Sequence, residues 1–313
     1  MSDLKVFSGN ANRPLALEIA GRLGIELGQV MVASFKDGEI RARILENVRG
    51  YDVFIIQPTC NPVNQHLMEL LLLMDAARRA SAARITAVIP YYGYARQERK
   101  TAGREPISAK LVANLITVAG ADRVLTVDLH APAIEGFFDI PVDHLRAGPI
   151  LADFFKDHCK PPLVVAAPDH GAVERAIKLQ AKLGHDVGLA VLVKHRPEPD
   201  RAEAVGLVGE VRDRTVILVD DLISTGGTLI EAAECLLEQG ASAVFAGAVH
   251  PVLAGHTAER LRKSVLERIV VTNTIPVAQT PPDDKIVVLS VAPLLAEAIS
   301  RIHENRSVSA LFD

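Results

Sequence analysis

Tryptophan is absent from the 313-residue chain, and aromatic residues make up only 4% of it. Stacking surfaces for nucleic-acid bases are therefore scarce. Excess positive charge is missing too: 34 Lys and Arg stand against 38 Asp and Glu, a net charge of −4. That balance gives no electrostatic footprint for general nucleic-acid binding, so no such partner is expected. Cysteine is sparse. Cys60, Cys159 and Cys235 are scattered with no CxxC spacing. This argues against a disulfide framework or a cysteine zinc site and fits a reducing cytoplasm. Long apolar runs are lacking as well. The most hydrophobic, Leu67 to Met74, contains Glu69 and is far too short to span a bilayer. It reads as a core or subunit-interface helix. The N-terminal MSDLKVFSGN has no apolar signal core, and no membrane partner is expected. The P-loop pattern GxxxxGKS/T, the dinucleotide fingerprint GxGxxG, HExxH and the nucleophile elbow are all absent.

What the chain does contain is apolar mass. Hydrophobic residues make up 49% of it, ample for a large core, and its length exceeds one typical domain. Short apolar strands alternate with amphipathic helices, which implies parallel sheets flanked by helices. In the first half the predicted strands are Leu4–Phe7, Val53–Ile56, Ile85–Ile89 and Val124–Val127. Asn12 and Pro14 mark a helix start, and Lys36-Asp37-Gly38 a hairpin between Val30–Ala33 and Glu39–Leu45. Helices are expected over Val63–Ala80 and Ile107–Val118. In the second half the strands are Leu163–Ala167, Leu189–Val193, Val216–Val219, Ala243–Val249 and Ile286–Leu289. Helices are expected near Ala172–Leu183, Leu229–Gln239 and Pro293–Glu304. Val53 to Ile89 and Val216 to Val249 both read strand, loop, helix, strand. This weak duplication predicts two related domains with a boundary near Leu145–Pro149.

The most informative stretch is Val216 to Thr228, VILVDDLISTGGT. An apolar strand is predicted to end at Asp220-Asp221. A turn of small residues follows, Ser224-Thr225-Gly226-Gly227-Thr228, and then the helix. Glycine permits backbone conformations and a close approach that a Cβ forbids. The N–H groups of such a turn, opening a helix, form an anion cradle. The carboxylates accept hydrogen bonds from vicinal hydroxyls. The segment therefore suits a sugar phosphate; without the acidic pair it would read as a routine βα turn.

Three further clusters could serve a second reactant. The aperiodic segment Tyr91 to Glu105 holds Arg96, Gln97, Arg99, Lys100 and Arg104. Arginine forks suit polyphosphate oxygens, though a solvated basic loop fits equally. Asp128, His130 and Asp169 each follow a predicted strand, at the edge where open α/β sheets bind ligands. A His with carboxylates fits Mg²⁺ carrying phosphates, although Mg²⁺ prefers oxygen and a lone His is commonly structural. Lys194-His195-Arg196 puts cations at a strand end before a proline-containing loop. Such cations either meet a transferring phosphoryl group or are simply solvated.

Taken together, these segments resemble the ribose-phosphate pyrophosphokinase family, also called phosphoribosyl pyrophosphate synthetases. The likeness runs the whole length: FSGNANRPLA, SFKDGEIRARILENVRG, YGYARQERK, REPISAKLVANL, DLHAPAIEGFFDIPVD, PDHGAVERA, KHRP, VDDLISTGGT and VSALF. DDLISTGGT alone also resembles the loop of type I phosphoribosyltransferases. The resemblance implies two related type I phosphoribosyltransferase-like domains, each a mostly parallel sheet flanked by helices. Residues 1–146 would carry the ATP loop and a metal-binding His. Residues 147–313 would carry the ribose 5-phosphate and catalytic loops, the last of them packing back on the N-terminal domain.

It further implies that ATP and ribose 5-phosphate give phosphoribosyl pyrophosphate and AMP. Phe35, Asp37, Gly38 and Glu39 would help hold ATP from a neighbouring subunit, with Arg96 and Gln97. His130 and Asp169 would bind Mg²⁺, and Lys194 and Arg196 would stabilise the transition state, Arg196 also touching ribose 5-phosphate. Asp220 and Asp221 would take the ribose hydroxyls, and Ser224, Thr225, Gly226, Gly227 and Thr228 the 5-phosphate. A cytoplasmic homohexamer built from dimers is implied, and many members respond to phosphate and ADP. Two other readings stand beside it. A phosphoribosyltransferase predicts a base-recognition hood and no ATP loop. A catalytically silent regulatory homologue predicts loss of Lys194, Arg196, His130 or Asp169, all of which are present. Three departures stand out. The family commonly has Asp at Ser224 and Gln at Ala133 and Glu135. Its KRR triplet is Lys194-His195-Arg196 here, with the outer cations kept.

Overall fold

The computed structural model describes residues 3–195, 204–277 and 284–312. Two compact units emerge. The first comprises Met1–Arg146, Thr274–Pro276 and Ser290–Asp313, the second Ala147–Asn273 and Val277–Leu289.

The first unit runs β1 (Leu4–Ser8), α1 (Arg13–Arg22), β2 (Val30–Ser34), β3 (Ile40–Ile44), β4 (Asp52–Ile56), α2 (Val63–Arg79), β5 (Arg84–Ile89), α3 (Ser108–Ala119), β6 (Arg123–Val127) and β7 (Val142–Leu145). Five strands form a parallel sheet in the order β1-β4-β5-β6-β7, and β2 and β3 make a separate hairpin. Every residue of β4 is buried, as a parallel strand covered on both faces requires. α1 starts where expected: the Asn12 side chain accepts from Leu15 N at 3.3 Å, and Pro14 stands in the first turn.

The second unit runs α4 (Gly148–His158), β8 (Leu163–Ala167), α5 (Val173–Leu183), β9 (Gly188–His195), β10 (Ala204–Val208), β11 (Thr215–Ile223), α6 (Gly227–Glu238), β12 (Ala243–Pro251), α7 (Thr257–Lys263), β13 (Ile269–Thr272) and β14 (Ile286–Leu289). The chain then returns to the first unit as α8 (Ala292–His303). The sheet order is β10-β9-β8-β11-β12-β13-β14, and only β10, beside β9, is antiparallel among the pairs described. From β8 the chain adds β9 on one side and later β11 on the other. The direction of winding therefore reverses between β8 and β11. In open α/β sheets a crevice for ligands forms at such a switch, beyond the carboxyl ends of the strands.

The duplication has a structural counterpart. β4-α2-β5 and β11-α6-β12 are both parallel βαβ units of adjacent strands. In the first, the place of the acidic pair is filled by Gln57, which is fully buried. Its amide accepts from Ala11 N at 3.0 Å and donates to His66 O at 3.2 Å and Glu69 Oε2 at 2.8 Å. A Cβ on Gly9 would lie 2.4 Å from Gln57 Oε1, so the glycine is needed for that packing. In the first copy that place is therefore taken up by a buried polar network around Gln57.

Candidate active site

The second copy is built differently. β11 pairs with β8 only as far as Leu218, opposite Ala166, but stays paired with β12 to Ile223, opposite Pro251. The acidic pair therefore lies inside the strand, where its β8 side has already opened, and not at the strand's end as the apolar run implied. Asp221 is 3% exposed. Arg175 of α5 faces both carboxylates, with Nη1 3.3 Å from Asp220 Oδ1 and Nη2 3.6 Å from Asp221 Oδ1. Asp221 N donates to Asp220 Oδ1 at 2.8 Å. Burial, then the charge and hydrogen bond of Asp221, push the Asp220 carboxyl up to about 7, against the pull of Arg175.

Beyond the pair comes the small-residue turn. Leu253 N donates to Ile223 O at 2.9 Å, Ala254 N to Ser224 O at 3.0 Å, and Arg260 Nη1 to Thr225 O at 3.2 Å. These donors engage the carbonyls of the turn. Gly226, at φ +72°, begins α6, and no side chain among the described residues caps that helix. Gly227 and Thr228 lie in its first turn, where backbone N–H groups and the helix dipole favour an anion. A Cβ on Gly226 would meet Thr257 Cγ2 at 3.2 Å and Leu261 Cδ2 at 3.3 Å in a conformation that already disfavours side chains. Valine at Gly226 should therefore distort the cradle and raise the KM for a sugar phosphate about tenfold or more, checked by initial rates.

Asp169 follows β8 after Pro168, across the switch from the acidic pair. Its Oδ1 accepts from Ala172 N at 3.2 Å, which orients the carboxylate. β9 lies on the other side of β8 and runs parallel to it, so Lys194 near its carboxyl end belongs to the same sheet edge. Arg196 lies outside the described residues. Asp169, Lys194, Asp220, Asp221 and the turn 224–228 are thus brought to one edge of one sheet. Arg175 was not singled out from sequence. Its signal is its place in PDHGAVERA, the turn-and-helix after β8; no sequence spacing ties it to the acidic pair.

The remaining expected residues belong to the first unit. Phe35, Asp37, Gly38 and Glu39 form the tip of the β2–β3 hairpin. Phe35 N donates to Glu39 O at 2.7 Å, and Glu39 N to Asp37 Oδ1 at 3.1 Å. Gly38 takes φ +95° there, and Phe35 is 51% exposed, an unusual place for that ring. Arg96 is exposed. Gln97 Oε1 accepts from Ser108 Oγ at 2.6 Å, so its amide N–H₂ is the donor it has to offer. His130 lies exposed beyond β6. Among the described residues no three His, Cys, Asp or Glu side chains cluster as a metal cage. An ion carried in by a nucleotide needs none, because Mg²⁺ keeps waters and phosphate oxygens and takes one or two protein ligands.

The N-terminal domain of ribose phosphate pyrophosphokinase matches residues 4–120, and the phosphoribosyl synthetase-associated domain matches residues 180–313. A ribose-phosphate pyrophosphokinase from Caldanaerobacter subterraneus subsp. tengcongensis is 56% identical over 312 residues, covering 99% of this chain and 98% of the relative. One from Bacillus caldolyticus is 54% identical over 310 residues, covering 99% and 98%. The crystal structure of phosphoribosylpyrophosphate synthetase from Mycobacterium smegmatis superposes with a TM-score of 0.91 at 43% identity, covering 97% of this chain and 100% of that one.

Proposed function

The chain belongs to the ribose-phosphate pyrophosphokinase family, and on that premise we propose how its residues divide the work. The enzyme moves the pyrophosphoryl group of ATP to the anomeric hydroxyl of ribose 5-phosphate. The products are 5-phosphoribosyl 1-pyrophosphate and AMP, and the reaction serves nucleotide biosynthesis. The hydroxyl oxygen bonds to the β-phosphorus, the bond from that phosphorus to the α–β bridging oxygen breaks, and the hydroxyl proton is released.

Asp220 and Asp221 accept hydrogen bonds from the ribose hydroxyls, and the turn from Ser224 to Thr228 takes the 5-phosphate. Ser224 is tolerated where relatives carry Asp because backbone amides do the binding. The observation that carries this reading is the opened half of β11. It presents two carboxylates at the switch point, followed at once by an uncapped helix start. Phe35, Asp37, Gly38 and Glu39 hold ATP from a neighbouring subunit, together with Arg96 and Gln97. His130 and Asp169 would each be a ligand to Mg²⁺, which when bound would neutralise phosphate charge. Lys194 and Arg196 meet the charge that develops on the transferring group. The assembly is a homohexamer built from dimers and works in the cytoplasm. No helix of the described residues is long and apolar enough to cross a membrane.

The test is AMP formation from ATP, Mg²⁺ and ribose 5-phosphate. AMP release that requires the sugar phosphate is the expected outcome. Nucleobase-dependent pyrophosphate release from phosphoribosyl pyrophosphate, without that activity, would make the chain a phosphoribosyltransferase. Neither activity would leave a silent homologue.

A further inference from the structure

We propose that His144 is a positioning residue for the turn that carries His130, and that Glu135 fixes the tautomer through which it acts. The inference rests on the reading of His130 as a metal and nucleotide-site residue.

β6 ends at Val127, and the next residue, Asp128, has φ +39°. A side chain in that left-handed region is strained and must be held by its surroundings. Two bonds hold it. Asp128 N donates to Leu145 O at 3.0 Å, and Leu129 N donates to His144 Nε2 at 2.7 Å. His144 sits on β7, opposite Thr126 of β6, and is 5% exposed. The Arg146 guanidinium also faces Nε2 and lies 3.9 Å from Asp128 Oδ1. Two donors converge on Nε2, so that nitrogen carries no proton. The ring proton is on Nδ1, which faces Glu135 Oε1. Burial, and then the Arg146 charge, hold the imidazole below its usual range, in keeping with a neutral ring. Glu135 accepts, His144 relays, and the N–H beside His130 is held. Loss of the acceptor would strand the N–H of Leu129, itself only 5% exposed, inside the fold. The turn would then relax, and His130, the next residue, would move with it. Outer partners of metal-binding His residues act in this way.

The experiment measures steady-state kinetics of the full-length protein with MgATP varied, and ribose 5-phosphate binding by calorimetry. His144→Leu removes the acceptor, and His144→Gln returns an amide oxygen near the place of Nε2. The expected result is a rise of about 10–100-fold in KM for MgATP with His144→Leu. Ribose 5-phosphate binding should be unchanged, and kinetics near the parent's should return with His144→Gln. Glu135→Gln keeps an acceptor and should behave as the parent; Glu135→Leu should raise the same KM. Folded His144→Leu with parental MgATP kinetics, equal loss of ribose 5-phosphate binding, or no rescue by Gln overturns the proposal. If His144→Leu does not fold, parental MgATP kinetics in Glu135→Leu overturns it. His130→Ala separates the two levels: parental kinetics there would sink the reading of His130 itself.

Discussion

Replacing Lys194 with alanine is expected to lower kcat by about 10²–10³-fold while ribose 5-phosphate binding stays near that of the parent. The physical reason is timing. On the proposed reading the ground-state sugar is held by Asp220, Asp221 and the turn 224–228, none of which needs a cation from β9. As the pyrophosphoryl group moves, negative charge builds on its oxygens, and a fixed ammonium is worth most there. Lys194 lies at the carboxyl end of β9, beside β8, and so at the edge that carries Asp169 and the acidic pair. Single-turnover AMP formation gives the rate and calorimetry the sugar affinity. Parallel losses in both would mean that Lys194 binds substrate uniformly, against the role assigned to it. Arg196→Ala should show the same asymmetry with some added loss of sugar affinity.

The affinity for ribose 5-phosphate should rise with pH between about 6 and 8. Asp220 is raised from 3.8 to about 7, mainly by burial and then by Asp221. On the proposed reading, the proton that the pair of the free enzyme holds at pH 6 is one the sugar displaces, because its hydroxyls donate to carboxylates. Below the raised value each pH unit costs up to about tenfold in affinity; above it the dependence flattens. Binding near pH 7 should therefore release protons, visible in calorimetry as heats that change with the buffer's ionisation enthalpy. Stability follows the opposite sign. The folded state holds this proton to a higher pH than the unfolded chain, so this group's contribution favours folding at low pH. That contribution is lost as pH rises from about 4 to about 7. Asp220→Asn should remove the proton release and weaken sugar binding at every pH. Buffer-independent binding heats by the parent protein would contradict the assignment.

How much of this was legible in the sequence depends on which forces set each feature. Apolar strands such as Leu163–Ala167 and helices such as Val63–Arg79 announce themselves, because burial alone fixes them. The hairpin around Gly38 was legible from turn chemistry. β7 was not: its middle residues, Asp143 and His144, are polar yet buried, and partners distant in sequence satisfy them. Asp143 accepts from Arg123 Nη1 at 2.6 Å, a pairing no local pattern reveals. The extension of β11 through its own carboxylates escaped for a similar reason. The strand persists because β12 continues beside it to Pro251, a tertiary fact. Arg175 is tied to the acidic pair across 45 positions of sequence. Glu135 stands out in the sequence only as a departure from the family's Gln; in the fold its carboxylate faces the His144 ring. The proposed sugar-phosphate loop was read from the spacing of DDLISTGGT. The proposed nucleotide half is made of exposed side chains such as Phe35 and Arg96, which burial does not pattern in the sequence.

One measurement tests the central claim most directly: ³¹P NMR of the products formed from ATP, Mg²⁺ and ribose 5-phosphate. Transfer of a whole pyrophosphoryl group predicts AMP with a pyrophosphate ester on the sugar's anomeric carbon, its two phosphorus signals coupled to each other. ADP with a single new monoester signal would mean that only the terminal phosphoryl group moves, and would contradict the account.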